Sequence, residues 1–177
     1  KYGFEYIDDS RFALFNDHLL VSHVKSRCLM LNCFDHTTGK QIWSFDTKLK
    51  FKANDPAAVT LRSGQYFYVD RDNIFIIDRT DGKLMHHIKL SFSGEECVKN
   101  NRVFVSEDGM SGVVLVYCVD NDDSRTMRFK RLDVWRFSLN GDNKYKVKKI
   151  ITGQQIRELG SWRMHAAQKG NTIAFWS

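Results

Sequence analysis

The residues able to do chemistry are scattered, and few keep the spacing that a reaction would need. His86 and His87 are adjacent in a strand-like run. Neighbouring strand residues point to opposite faces, so the pair cannot grip one metal. His18, His23, His36 and His165 stand apart from one another. The run Asp120-Asn121-Asp122-Asp123 offers carboxylates to a hard cation. It lacks the glycine and the closing glutamate of a calcium loop and reads as a solvated turn. The cysteines are Cys28, Cys33, Cys97 and Cys118, with no CxxC among them. That spacing excludes a zinc ribbon or a dithiol redox motif. Cys28, Cys33 and Cys118 lie in or at the ends of apolar runs, where a free thiol packs as a small hydrophobe. An even number also suits a secreted disulfide framework, but reduced thiols in an intracellular setting, cytoplasmic or nuclear, are the expectation. No GxSxG, HExxH, P-loop or dinucleotide fingerprint occurs. The expectation is a protein with no catalytic residues, no metal and no cofactor.

The most distinctive chemistry is positive charge. The chain carries 27 Lys and Arg against 21 Asp and Glu, a formal net charge of +6. The excess concentrates in Arg125, Arg128, Lys130, Arg131, Arg136, Lys144, Lys146, Lys148 and Lys149, opposed only by Asp133 and Asp142. In Lys144-Tyr145-Lys146-Val147-Lys148 the lysines share one face of a strand, with Tyr145 and Val147 on the other. Arg125, Arg128, Lys130, Arg131, Lys144, Lys146 and Lys148 are the candidate partner-binding residues. Such a patch suits an acidic protein surface, or alternatively a nucleic-acid backbone. The bland reading is an outer strand that lysines protect from edge pairing.

The elements that must position these groups are strands. Short runs rich in β-branched and aromatic residues cover 18–23, 27–34, 41–45, 65–69, 73–77, 84–90, 102–105 and 113–119, separated by Gly, Asn, Asp or Ser. No long segment keeps a 3.6-residue period; 153–160 suggests a single helical turn. No apolar stretch approaches the ~20 residues of a membrane span. Leu29-Met-Leu-Asn-Cys-Phe-Asp35-His-Thr-Thr-Gly39-Lys40 aligns with Asn73-Ile-Phe-Ile-Ile-Asp78-Arg-Thr-Asp-Gly82-Lys83, both aspartates and glycines standing 43 residues apart. Val114-Leu-Val-Tyr-Cys-Val-Asp120 follows 42 residues after Asp78 as a third copy. A period of ~40–45 residues holding several short strands marks a β-propeller blade. In the first two copies an apolar strand ends at Asp, whose carboxylate bonds the following backbone, and Gly supplies the positive φ that closes the turn; the third keeps only the strand and Asp120.

Phe34-Asp35-His-Thr-Thr-Gly39-Lys40-Gln-Ile-Trp43 resembles the quinoprotein-type propeller repeat, with tryptophan–aspartate repeat propellers as the near relative. The second copy keeps Asp78, Gly82 and Lys83 but has Met85-His86 near the Trp position. The resemblance implies an all-β, propeller-type fold. An enzyme of that kind, a quinone-dependent dehydrogenase, is an alternative, but the adjacent cysteines that many of them set against the cofactor are missing. Asp133-Val-Trp135-Arg136 resembles outer strands of blades in some fungal F-box proteins. That implies the substrate-recognising part of an F-box-type ubiquitin ligase subunit, although no F-box is visible.

The expected architecture is a single domain over 1–177 with about three to four blades in an incomplete ring. Units fall near 12–50, 55–92 and 95–140, with a partial blade at 161–177 and an irregular basic insertion near 121–160. The tryptophans Trp43, Trp135, Trp162 and Trp176 are expected to pack between blades. The first residue is Lys1, not Met, and the last strand belongs to a blade cut short, so a longer parent chain or complex is expected. The expected function is a non-enzymatic interaction module for a protein partner, with no membrane association.

Overall fold

Tight turns cut this chain into strands of five to eleven residues. In the computed structural model, residues 11–50, 57–91, 97–119, 129–154, 165–169 and 172–176 are described. Four consecutive strands, β1 (Arg11–Phe15), β2 (His18–Lys25), β3 (Cys28–Asp35) and β4 (Gln41–Lys50), form an antiparallel sheet in chain order. The same arrangement recurs in β5 (Ala57–Arg62), β6 (Gln65–Asp70), β7 (Asn73–Asp78) and β8 (Leu84–Lys89). It recurs again in β9 (Cys97–Val105), β10 (Ser111–Val119), β11 (Phe129–Leu139) and β12 (Tyr145–Gln154). A hairpin of β13 (His165–Lys169) and β14 (Thr172–Trp176) completes the described strands. Two-residue hairpins of type I′ need φ > 0 at both central residues to match strand twist. Ser26 and Arg27 (φ 52° and 65°) and Ser63 and Gly64 (47° and 72°) meet that need.

The three sheets stack face to face, and the middle one is buried on both sides. Tyr66, Tyr68, Phe75 and Ile77 pack with Leu20, Leu29, Leu31, Cys33 and Trp43 of the first sheet. Phe67, Val69, Ile74 and Ile76 face the other way, onto Val103, Val105, Val114, Val116, Trp135 and Phe137 of the third. Two-sided burial explains why 66–69 and 74–77 are continuous apolar runs where a half-exposed strand would alternate. Each fully buried aliphatic or aromatic side chain here contributes about 1.5–3 kcal/mol relative to exposure. β5 lies closely against β9, whereas β8 and β12 barely meet, so the second and third sheets diverge from first strand to fourth. The described strands form stacked sheets and a hairpin, without a closed ring.

The two aligned turns occupy equivalent places, each joining the third strand of its sheet to the fourth. In the first, the Gly39 amide donates to the Asp35 carbonyl (2.8 Å) and the Asp35 amide to the Lys40 carbonyl (2.9 Å). In the second, Gly82 donates to Asp78 (3.1 Å) and Asp78 to Lys83 (2.9 Å). The Asp35 carboxylate accepts from the Thr37 amide at 2.9 Å and the Thr37 hydroxyl at 2.6 Å. Asp78 accepts the same two bonds from Thr80. Gly39 and Gly82 have φ of 68° and 72°. The turn of one sheet also receives the tryptophan of the sheet before it. Trp43 Nε1 donates to the Arg79 carbonyl at 2.8 Å, and a Cβ on Gly82 would lie 2.6 Å from the indole Cδ2.

The third copy was aligned on the wrong strand. Val114–Val119 belongs to β10, the second strand of its sheet, whereas Asp35 and Asp78 close third strands. The counterpart is the β11–β12 turn, where Asn140 takes the Asp position and Asn143, at φ 56°, that of Gly. The Asn140 amide donates to the Lys144 carbonyl at 2.9 Å, and the Asn143 amide to the Asn140 carbonyl at 3.1 Å. This turn is one residue shorter, and the longer β10–β11 connection breaks the 43-residue period.

The basic section is likewise more regular than expected. Instead of an irregular insertion over 121–160, β11 and β12 are the last two strands of the third sheet, which runs to Gln154 and not to 140. An apolar face toward the middle sheet makes these charged segments strands; Trp135 and Phe137 join the core, and Tyr145 and Val147 pack against it. Of the expected helical turn, 153 and 154 end β12 and the rest lies outside the described residues, as do Asp120-Asn121-Asp122-Asp123 and Trp162. In the expected partial blade at 161–177, the described strands are β13 and β14.

Candidate functional site

The lysines of β12 are turned outward because their neighbours are held inward. The Tyr145 hydroxyl donates to the Gly109 carbonyl at 2.9 Å. Its ring meets Phe137 with centroids 5.8 Å apart and His86 at 5.0 Å. Val147 packs on the same core. Strand alternation then sends Lys146 and Lys148 to the far face, and they and Lys144 are exposed. Asn140 anchors the start of this strand, its side-chain oxygen accepting from the Lys144 amide at 2.9 Å.

Cross-strand register adds a residue to the cluster. Arg136 stands directly opposite Lys148, and Ser138 opposite Lys146. Arg136 is exposed, on the face opposite the buried Trp135 and Phe137. Like charges directly opposite in a sheet are destabilising, by the same few tenths to ~1 kcal/mol that opposite charges would contribute. The described residues include no carboxylate paired with Arg136, Lys144, Lys146 or Lys148.

Lys149 behaves oppositely. It points to the core side, its ammonium 2.7 Å from the fully buried Asp133 carboxylate and 5.4 Å from the Trp135 ring centroid. Toward the β11–β12 turn one face is thus charge-compensated and turned to the core, while the other exposes Arg136, Lys146 and Lys148; farther along β11 that second face is also buried, at Leu132 and Val134. The interleaved bases and aromatics separate by strand parity: Trp135, Phe137 and Tyr145 pack inward while Arg136, Lys146 and Lys148 face out.

Of the seven expected contact residues, Lys144, Lys146 and Lys148 are brought together. Arg125 and Arg128 lie outside the described residues. Lys130 and Arg131 are the second and third residues of the β11 strand, with their side chains outside the described set. Arg136 was missing from the expected set. Its parity with Ser138, opposite to the aromatic Trp135 and Phe137, was the signal that would have found it.

Several of the other reactive groups make packing and hydrogen-bond contacts. His86 packs on Tyr145, and His87 stacks on Phe75 and bonds Asn73 Oδ1 at 2.9 Å, so the two do occupy opposite faces. Cys28 and Cys33 are free thiols. Burial pushes the Cys33 thiol up to about 11, against the partial pull of its hydrogen bond to the Tyr66 hydroxyl. His18 Nδ1 lies 3.0 Å from that hydroxyl, and Arg79 pairs with Asp17, so a polar cluster joins the first two sheets at this end. Among the described residues no three His, Cys, Asp or Glu converge as a metal ligand set, and no helix is long and apolar enough to cross a membrane.

No family model matches the sequence, and no curated protein matches it. Among solved structures, the chain is similar to Hsv2 of Kluyvelomyces marxianus, at 10% identity and a TM-score of 0.50. The similarity covers 82% of this chain and 45% of that one, so the chain spans less than half the length of that protein. At this identity the likeness speaks to fold. Hsv2 is a β-propeller, and the stacked four-stranded meanders described above are propeller-like sheets.

Proposed function

We propose that this chain is a propeller-type interaction module that binds an acidic protein segment through the outer face of its third sheet. The three sheets are read as three blades, and β13–β14 as the start of a fourth, in a ring this chain does not close. The observation that carries the functional reading is Arg136 directly opposite Lys148, with no counter-charge among the described residues. Lysines guarding an edge account for Lys144, Lys146 and Lys148. They do not account for an arginine on β11, an interior strand.

A protein partner is favoured over nucleic acid by where the aromatics go. Single strands are gripped by basic grooves with aromatic rings for the bases to stack on. Trp135, Phe137 and Tyr145 are committed to the core instead. The resemblance to quinoprotein-type repeats is supported by the matched turns and by the tryptophan seated on the next sheet's turn. The module is read as binding rather than catalytic, so purified protein should lack quinone absorbance in the near ultraviolet and visible. The finer reading, substrate recognition in an F-box-type ubiquitin ligase, rests on the resemblance of 133–136 alone.

The test is the triple variant K144E/K146E/K148E, compared with the parent for binding a fluorescein-labelled oligoglutamate and a single-stranded oligonucleotide of equal charge. The parent should bind the peptide, and the variant should lose that binding with its far-ultraviolet circular dichroism unchanged. Peptide affinity unchanged by the reversal would overturn the assignment. Tighter binding of the oligonucleotide, with a steep fall in salt, would replace protein by nucleic acid.

A further inference from the structure

We infer that the acidic segment binds in extended form along the free edge of β12, adding a strand to the third sheet with its carboxylates at alternate positions. This rests on the basic-face reading above and specifies the shape of what that face takes. Among the described residues β12 pairs only with β11, so its other edge is open. From Tyr145 to Lys149 its register against β11 is unbroken over five consecutive pairs; the irregularities come beyond these, between Leu132 and Val134 and between Val134 and Trp135. The other outer strands are less suited. β4 carries a register break between its pairings at Asp46 and Lys50, and its exposed Lys48 is already paired with Asp46 at 2.7 Å. β8 is six residues long, with a break at Ile76 and Ile77 of its partner.

The chemistry along β12 repeats every two residues. Lys146 and Lys148 stand on one face about 6.8 Å apart, the two-residue advance of a strand, and the exposed Lys144 immediately precedes the strand. Alternate side chains of an extended peptide advance by the same distance. A strand laid beside β12 would set each carboxylate next to a lysine, and the row nearest Lys148 would extend into Arg136. Its intervening residues would lie on the face of Tyr145 and Val147, which are only partly buried. Main-chain bonds supply affinity in this mode, and alternate side chains supply specificity. A helical acidic segment could also space its i, i+4 carboxylates about 6 Å apart, but its main-chain groups are bonded internally and cannot pair with the β12 edge.

The experiment uses fluorescence anisotropy with the full chain and two labelled ten-residue peptides of equal composition. One alternates glutamate with threonine; the other holds its five glutamates in a block. Two further versions of the alternating peptide carry N-methyl groups on one or the other alternate set of amides. The alternating peptide should bind about tenfold more tightly than the block. One N-methylated version should lose binding, because its blocked amides are those meant for β12, and the other should keep it. Equal binding of the alternating and block peptides, or indifference to both N-methylated sets, would overturn the added strand and leave the basic face standing. Failure of both peptides to bind, or binding unchanged in K144Q/K146Q/K148Q, would overturn the basic-face reading itself.

Discussion

Gly39 and Gly82 offer a matched pair for testing how one sheet is locked to the next. Their backbones are nearly identical, with φ of 68° and 72°, in turns bonded the same way. A Cβ at Gly39 would meet nothing within 4 Å. Gly39→Ala should therefore cost only the left-handed conformation, about 1–2 kcal/mol. At Gly82 the same Cβ would fall 2.6–2.8 Å from Cδ2, Cγ and Cε3 of Trp43. That indole cannot easily retreat, since it is buried, donates to the Arg79 carbonyl at 2.8 Å and sits edge-on to Tyr66. Overpacking a filled core costs typically ~1–3 kcal/mol beyond the backbone term. Gly82→Ala should thus be about 2–5 kcal/mol destabilising. With a urea slope of about 2 kcal/mol/M, its unfolding midpoint should lie roughly 0.5–1.5 M below that of Gly39→Ala. In a Trp43→Leu background the difference between the two alanine variants should shrink, because the atoms that clash are gone. Equal midpoints for both variants in the parent, or a difference indifferent to Trp43→Leu, would refute the docking of one sheet's tryptophan on the next sheet's turn.

Three further outcomes follow from the same geometry. Hydrogen bonds from the Thr37 side chain, and then from the Thr38 amide, hold the Asp35 carboxyl well below the usual range, and Thr80 does the same for Asp78. Stability from these groups is present above the unfolded carboxyl value near 3.9 and lost as pH falls through the lower folded values. Urea midpoints of Thr37→Val/Thr80→Val should thus approach those of the parent between pH 4 and pH 2, and a constant gap would refute this. Peptide mapping of iodoacetamide-treated native protein at pH 8 should show Cys28 labelled well before the buried Cys33, whose thiol is raised to about 11. Lys149→Met should destabilise by about 3 kcal/mol in urea, since it removes the cation from the buried Asp133. Lys148→Met, on the exposed face, should change stability by less than about 0.5 kcal/mol.

Local chemistry was legible in the chain itself. The turns at 35–40 and 78–83 are closed by hydrogen bonds spanning no more than five residues, so Asp, Thr and Gly at fixed offsets were enough to find them and the period between them. The lysine face of β12 was legible for the same reason, since alternation is a property of the strand alone. What needed the tertiary structure was everything set by partners far along the chain. Val114–Asp120 looked like a third copy because many apolar strands end in Asp; only the sheet order showed β10 to be a second strand and Asn140–Lys144 the true counterpart. The charged stretch read as irregular because four of the eleven β11 residues and three of the ten β12 residues are ionic, and burial of their apolar neighbours against the middle sheet was invisible. Arg136 and Lys149 are both basic residues in one stretch. Register across β11 and β12 set one beside Lys148 in solvent and the other against Asp133 in the core, and register is decided by the packing of both strands on their neighbours, which no single segment encodes.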